Sequence, residues 1–481
     1  MPKFVLLWTD GAIWLLAAAL VAYVVFAWRR PNLRASWRKV FMDAPSLSSC
    51  IVLLLCLWVT LLDSVHYRPL LPPAPGATAA AYDARTRSLL DAWLADLVDA
   101  REATYSTPLA TVSFTRESVV VDGRVERVAP RLKFGGAHLQ DPATQWLPDV
   151  LMRASTGLAL GLVGALLASA LLLAWLAWWR GQAFAECVRE QWQGRSALPW
   201  HVAIGTFLVL GAIIGVSSAL SGPYHLMGTD TTGNDVLYQS LKSIRTAFVI
   251  GTLATLATLP LAVVLGIVAG YLKGWADEVI QYVYTVLSSI PNVLLIAACV
   301  LMVQVFLDTH PDLFETGAER ADLKLFLLCA VLGLTGWAGL CRLLRGETLK
   351  LRELDYVQAA QAFGVSSTRI MVRHIFPNVA HLMLIVTVLE FSALILYEAV
   401  LSYVGVGVDP SMNSFGGMIN LARTEMSRDP IVWWSFASAF VFMVTVVLAA
   451  NLFADGVRDA FDPRARSLRA SLARKARAAA K

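Results

Sequence analysis

Long apolar runs broken by short charged connections fill most of the chain. Nine runs are long enough to cross a bilayer: 11–28, 47–66, 150–179, 201–220, 245–270, 279–306, 323–341, 379–402 and 431–453. Lipid offers no partner to a backbone N–H or C=O, so a run of about 20 apolar residues spans as a helix. The pattern predicts an all-α polytopic transmembrane bundle. Pro260 falls inside the fifth run, where neighbours can satisfy the carbonyl it frees.

One polar stretch, 67–149, interrupts the pattern. It opens with a stiff run at Pro69, Pro72, Pro73 and Pro75. Leu89, Leu90, Trp93, Leu94, Leu97 and Val98 then recur at helical steps, with Asp91, Asp96 and Asp99 between them. Strand-like runs follow at Ala110–Phe114 and Ser118–Asp122, with a turn at Gly123 and Arg124. These signals predict a small α+β cap outside the membrane. The divisions are then 1–66 (two spans and a basic connection), 67–149 (cap), 150–200 (third span), 201–466 (core) and 467–481 (basic tail).

Composition agrees: 57% of the residues are hydrophobic and 16% charged, where soluble proteins run near a quarter charged. The mean hydropathy is +0.60. Basic residues mark one face of the membrane. They include Arg29, Arg30, Arg34, Arg38 and Lys39; Arg180, Arg189 and Arg195; Arg342, Arg345, Lys350, Arg352, Arg369 and Arg373; and the tail from Arg458 onward. That face is cytoplasmic, which places the N-terminus outside and the C-terminus inside. Residues 1–28 read as an uncleaved span, because the basic cluster follows the apolar run, the reverse of a signal peptide. The 6 cysteines fit neither a disulfide framework nor a zinc site.

Candidate chemistry concentrates in the connection 351–378. A helical run from Tyr356 to Phe363 ends at Gly364, a good left-handed stop. Ser366 or Ser367 can cap a second helix running towards Pro377. Tyr356, Ala359, Ala360 and Phe363 share one face of the first helix. Such a hairpin suits insertion into a groove on a soluble partner, or it lies as an amphipathic element at the interface. Glu390, mid-span, is either a passage-lining group or a protonated carboxyl bonded to a neighbouring helix. His374 belongs to the hairpin. The remaining histidines, His66, His138, His201, His225, His310 and His381, do not cluster and are assigned no site, metal or otherwise. Gly157, Gly161 and Gly164 read as helix-packing positions. No phosphate-binding loop and no nucleophile elbow occurs, so any nucleotide hydrolysis belongs to another chain. The basic tail suits anionic lipid rather than nucleic acid.

The hairpin resembles the EAA motif of ABC importer permeases at Gln358, Ala359, Ala360, Gly364 and Pro377. Gln358 stands where the family has Glu, which removes one negative charge. The ending His374-Ile375-Phe376-Pro377-Asn378 resembles the oligopeptide/dipeptide branch. Five further segments resemble that branch in order. Gly228-Thr229-Asp230-Thr231-Thr232-Gly233-Asn234-Asp235 has Asn234 in place of Arg; there Asp230 favours a side-chain-stabilised turn, and Asn234 is a candidate cap for the next helix. The others are Gly270-Tyr271 with Gly274-Trp275 and Asp277; Ser289-Ile290-Pro291; Glu398 through Gly405, Gly407 and Pro410; and Asp459 through Asp462, Pro463 and Arg464. Arg342 and Arg345-Gly346 resemble the residues that enter the EAA loop.

The resemblance covers about residues 221–466 and says nothing of the first three spans or the cap. It implies a six-helix permease core, a second homologous permease subunit, and ATPase subunits that carry ATP and Mg. It also implies a binding protein outside, peptide cargo, a bacterial inner-membrane location and no cofactor in this chain. Glu398 would have a structural or gating role. The readings that compete are the same family with nickel-chelate, glutathione or peptide-antibiotic cargo, an ion-coupled carrier, and a scaffold organised around the cap.

Overall fold

The computed structural model describes residues 2–71, 82–83, 85–121, 124–192 and 198–461. Pro72, Pro73, Pro75, the Gly123 turn, Arg195, Asp462, Pro463 and the basic tail lie outside the described residues.

The helices in chain order begin with α1 (Trp8–Arg29), α2 (Pro31–Met42), α3 (Ala44–Asp63), α4 (Leu89–Trp93), α5 (Ala95–Asp99) and α6 (Pro142–Arg180). Next come α7 (Phe184–Trp192), α8 (Trp200–Ser221), α9 (Val236–Leu272), α10 (Trp275–Ser289), α11 (Asn292–Thr309) and α12 (Gly317–Gly336). The last are α13 (Ala338–Arg352), α14 (Asp355–Ala362), α15 (Ser367–Ile370), α16 (Phe376–Tyr403), α17 (Phe415–Glu425) and α18 (Trp434–Phe461). Short strands β1 (Lys3–Val5), β2 (His66–Arg68) and β3 (Arg87–Ser88) form one antiparallel sheet, and β4 (Glu117–Val121) pairs with β5 (Arg124–Val128) as a hairpin.

Among the described residues, eight helices are long and apolar enough to span, or nine if the bent pair α12–α13 is one span. The chain is thus an all-α polytopic bundle with a small mixed cap. Several expected bounds change. The run 279–306 is not one helix. It stops at Ser289, because Pro291 forces Ile290 into extended backbone (φ −89°, ψ 132°), and only α11 has the length of a span. The run 323–341 bends by 41° at the α12–α13 break. The third span starts at Pro142, and the second ends at Asp63, leaving His66 to β2. In the cap, the helical pattern over 89–98 is two short helices broken at Leu94. The run Ala110–Phe114 is not a strand; Val112 makes only an isolated bridge to Arg131.

The chain divides into two compact units. The first contains the described parts of Met1–Val5, Phe41–Thr246 and Asn413–Ala449. In it α6 and α8 cross at glycines: a Cβ on Gly157 would come 2.5 Å from the Gly215 carbonyl, and one on Gly211 would come 2.7 Å from the Gly161 carbonyl. Gly164 meets nothing within 4 Å, so the packing role expected of it does not hold. A second core gathers Tyr105, Val236, Met418, Val432 and Trp434.

The second unit contains Leu6–Val40, Ala247–Met412 and the described part of Ala450–Lys481. Its core joins α9, α10, α13, α14 and α16 through Ile267, Tyr271, Tyr284, Leu344, Val357, Ile370, Ile375 and Val379. Gly266 and Gly270 of α9 let α13 approach: a Cβ on Gly266 would lie 2.8 Å from the Cys341 carbonyl, and one on Gly270 would lie 2.6 Å from Thr348 Cβ. Pro260 sits inside α9 without ending it. On α1, Thr9 N–H donates to buried Asp322 of α12 at 2.9 Å.

Candidate functional site

The hairpin 351–378 is built around its glycine. After α14 the chain turns left-handed at Gly364 (φ +76°). Gly364 N–H donates to Gln361 O at 2.9 Å, and Val365 N–H donates to Ala360 O at 3.1 Å. These two bonds form the Schellman arrangement, which satisfies carbonyls the helix end would otherwise orphan. Val357 is buried, and Ala360 and Val365 pack partly buried on the same core. Ala360 therefore anchors the hairpin inward and does not share the outward face expected of it. Tyr356, Gln358, Ala359 and Phe363 do face outward, and Phe363 is 87% exposed.

The second arm departs from a simple helix. Ser366 occupies the cap position of α15 without a side-chain bond. A π-helical turn, Met371–Ile375, then leads into α16. Pro377 has no N–H to give to the preceding turn, and a wide turn absorbs the loss. The arm therefore runs through Pro377 into the long helix and does not stop there. His374 lies in the π turn. Its ring is 6.1 Å from that of Tyr356, and Asn378 Nδ2 donates to the Tyr356 hydroxyl at 3.1 Å, tying the two arms together.

The α9–α10 turn braces the hairpin. Gln361 Nε2 donates to the Tyr271 hydroxyl at 2.9 Å, and Arg352 donates to the Tyr271 carbonyl at 2.8 Å. Lys273 pairs with Glu353 at 3.1 Å, and Gln358 Nε2 lies 3.4 Å from the Glu353 carbonyl. Arg345 grips Asp277 with two bonds, of 2.6 and 2.7 Å. The hydrogen bond from Arg345 holds the Asp277 carboxyl below its usual range, against the opposing effect of burial. Two segments read separately in the sequence thus form one ion pair.

At the other motif, Gly228 (φ +72°) and Gly233 (φ +77°) bracket a tight loop. Asp230 Oδ1 accepts from the N–H groups of Thr232 at 2.8 Å and Asn234 at 2.9 Å, the expected side-chain turn. Asn234 does not cap α9; its amide bonds back to Thr232 at 2.7 Å. The cap is Asp235, whose Oδ1 accepts from Tyr238 N–H at 3.1 Å.

On α16, Glu398 is buried and accepts from Ser402 Oγ at 2.7 Å. The helix ends at Gly405 (φ +87°) with Gly405 N–H on Ser402 O and Val406 N–H on Leu401 O. A Cβ on Gly407 would strike Ser402. Glu390 is half-buried near the midpoint of α16 and has no hydrogen bond or ion pair with another described residue. The neighbouring-helix partner considered for it is therefore absent among the described residues.

One constellation has no signal in the sequence. His225, read as scattered, sits buried between two carboxylates. Its Nδ1 is 2.9 Å from Asp235 and its Nε2 is 3.4 Å from Glu102. Glu102 also accepts from the N–H groups of Lys133, Phe134 and Gly135 at 2.9, 2.8 and 3.1 Å. Burial opposes charge on His225, yet the bonds to Asp235 and Glu102 outweigh it and raise its pKa from 6.5 to about 9. Burial likewise opposes ionisation of Glu102, but His225 and the three backbone donors lower its pKa to about 2. Glu102 and His225 lie 123 apart in sequence, and no local pattern links them.

Comparison with known proteins covers the hairpin. The sequence matches the family described as binding-protein-dependent transport system inner membrane component over residues 262–467. It is 33% identical over 248 residues to the oligopeptide transport system permease protein OppC of Mycobacterium bovis, covering 52% of this chain and 79% of that protein. The glutathione transport system permease protein GsiD of Pectobacterium atrosepticum is 31% identical over 299 residues, covering 58% of this chain and 92% of that protein. The dipeptide transport system permease protein DppC of Lactococcus lactis is 28% identical over 241 residues, covering 50% and 64%. Likeness of this extent, carried by a chain whose Gly364 turn and Gly228–Asp235 loop are both formed, shows that the protein belongs to the family of inner-membrane components of binding-protein-dependent transport systems.

Proposed function

We propose that the chain is the permease subunit of an ATP-driven importer whose cargo is peptides, and that ATPase subunits grip the 351–378 hairpin. The observation that carries the reading is the hairpin itself. It is braced from behind by Tyr271 and by the Lys273–Glu353 pair, and it presents Phe363 at 87% exposure. A rigid element that bares an aromatic suits a groove on a partner. Its core, Val357 and Ile370 among others, is continuous with α9, α13 and α16. Force on the hairpin would therefore reach spanning helices directly.

In this reading a second permease subunit completes the passage, with Glu390 lining it, because an unpartnered carboxylate in mid-span is costly unless it meets water or a cation. A binding protein delivers cargo from outside, and the hydrolysed ATP and its Mg belong to the ATPase chains. The ATPase biases the helices only if its contacts with the hairpin differ between the two access states. Glutathione as cargo is the second reading, favoured by the 92% coverage of the glutathione permease; glutathione is itself a small peptide.

Gly364→Val tests the coupling. A β-branched side chain meets no obstacle in space there, since nothing lies within 4 Å of the Cβ position, but φ +76° is strained for it by about 1–2 kcal/mol. The variant should insert normally and lose ATP-dependent uptake. Uptake at the wild-type rate would remove the coupling role.

A further inference from the structure

The cap segment 101–114 lies beyond the reach of the family resemblance, yet it is bonded along the family loop. Glu102 N–H donates to Gly233 O at 3.0 Å, Thr229 N–H to Ser106 O at 3.1 Å, and Leu109 N–H to His225 O at 2.9 Å. Ser106 N–H donates to Thr229 Oγ1 at 2.7 Å. The approach is backbone to backbone: a Cβ on Gly228 would strike the Ser106 carbonyl, and one on Gly233 would strike that of Glu102. The same segment reaches the start of α18. The rings of Tyr105 and Phe114 stand edge-on to buried Trp434 at 6.3 and 5.1 Å, and the Trp434 indole N–H donates to Thr229 O at 2.9 Å.

A charged pin closes the contact. The Glu102, His225 and Asp235 side chains are 3%, 4% and 1% exposed. Asp235 also caps α9, so the pin ends on the first turn of a spanning helix. A second anchor lies two turns along: Lys242 of α9 donates to Asp91 of α4 at 2.8 Å, and the Tyr238 hydroxyl donates to the same carboxylate at 2.8 Å. Lifting the segment would have to break the buried ion triad, the run of backbone bonds and the packing on Trp434 together, so the contact opens as a unit or not at all.

We propose that cap segment 101–114 is a positioning clamp for transport: it fastens the lead-in of α9 to the lead-in of α18 and stays closed throughout the cycle. Glu102 and His225 are its positioning residues. The proposal rests on the permease reading, under which α9 and α18 belong to the passage core.

A disulfide tests it. The hydroxyls of Ser106 and Thr229 lie 3.1 Å apart, so S106C/T229C places two thiols within bridging reach. The chain's six cysteines are free and stand elsewhere. The full complex, with its ATPase and binding-protein partners, is reconstituted in proteoliposomes, and phosphate release is the readout. With the disulfide formed, hydrolysis should stay within about twofold of the reduced protein. A tenfold fall on oxidation, reversed by dithiothreitol, shows that the cap must lift and overturns the clamp. In a second arm, Glu102→Ala should cut hydrolysis about tenfold at equal membrane insertion, and the oxidised S106C/T229C pair in that background should restore it. Full activity of Glu102→Ala, or no rescue by a disulfide verified by mass, also overturns the clamp. If hydrolysis by the wild-type complex does not depend on this chain at all, the permease reading fails and the clamp with it. Gly364→Val serves as the control: its loss of hydrolysis with an intact clamp separates the two.

Discussion

Burial alone would strip His225 of its proton; two carboxylates keep it charged. The consequence for stability has a definite sign. His225 has its pKa raised from 6.5 to about 9, so its contribution is complete below 6.5 and is lost as pH rises through 9. Glu102 has its pKa lowered from 4.5 to about 2, so its contribution is present above 4.5 and is lost as pH falls through 2. The triad therefore stabilises most between 4.5 and 6.5. The melting temperature of wild type minus that of His225→Gln should be largest in that window and should shrink towards about pH 10. A difference that is flat across the range would mean that His225 is neutral in the fold. Nothing near His225 in the sequence announces this role, because its partner Glu102 comes from the cap, 123 residues away. Gly364, by contrast, is legible at once: its left-handed turn is a property of the local chain.

Among elements, what can be read from the sequence depends on whether the cause is local. Apolar runs give spans because each residue contributes independently to hydropathy. The break at Ile290 is also local, since Pro291 alone enforces it, yet the apolar run on both sides conceals it. The 41° bend between α12 and α13 has no Pro at the break, where Gly336 and Gly339 flank Trp337 and Ala338 inside an apolar run. Glycines divide in the same way. Gly164 and Gly266 look alike in an apolar run, but only Gly266 has a neighbouring helix against it. Gly266→Val should push α13 away from α9 and cost about 1–3 kcal/mol, as overpacking does. Gly164→Val should stay within about 0.5 kcal/mol, because it meets open space. Thermal melting of the two variants in the same detergent decides. Equal losses would mean that the α9–α13 approach is loose.

For the whole molecule, the sequence resemblance marks the core and passes over the cap, yet the cap is fastened to residues at the start of α9. Lys242 of α9 bonds Asp91 of the cap, and Asp235 caps α9 while holding His225 against Glu102 of the cap. Within the first unit, the pairing of Lys3–Val5 with His66–Arg68 ties the first strand to the exit from α3. A pairing of three residues on each strand is too short for any periodicity to foretell.

Phe363 carries a further consequence, for the cell rather than for transport. Phe363 is 87% exposed, and Tyr356 and Val372 are exposed on the same hairpin, an apolar surface of the kind that marks an interaction site. On the proposed reading, in which an ATPase covers the hairpin, a subunit made in excess of that partner bares the surface and should be cleared faster. Pulse-chase labelling should show the orphan chain decaying several-fold faster than the co-expressed one, with Phe363→Ser slowing the decay. Equal lifetimes with and without the ATPase would mean that the ring is not what marks an unassembled chain.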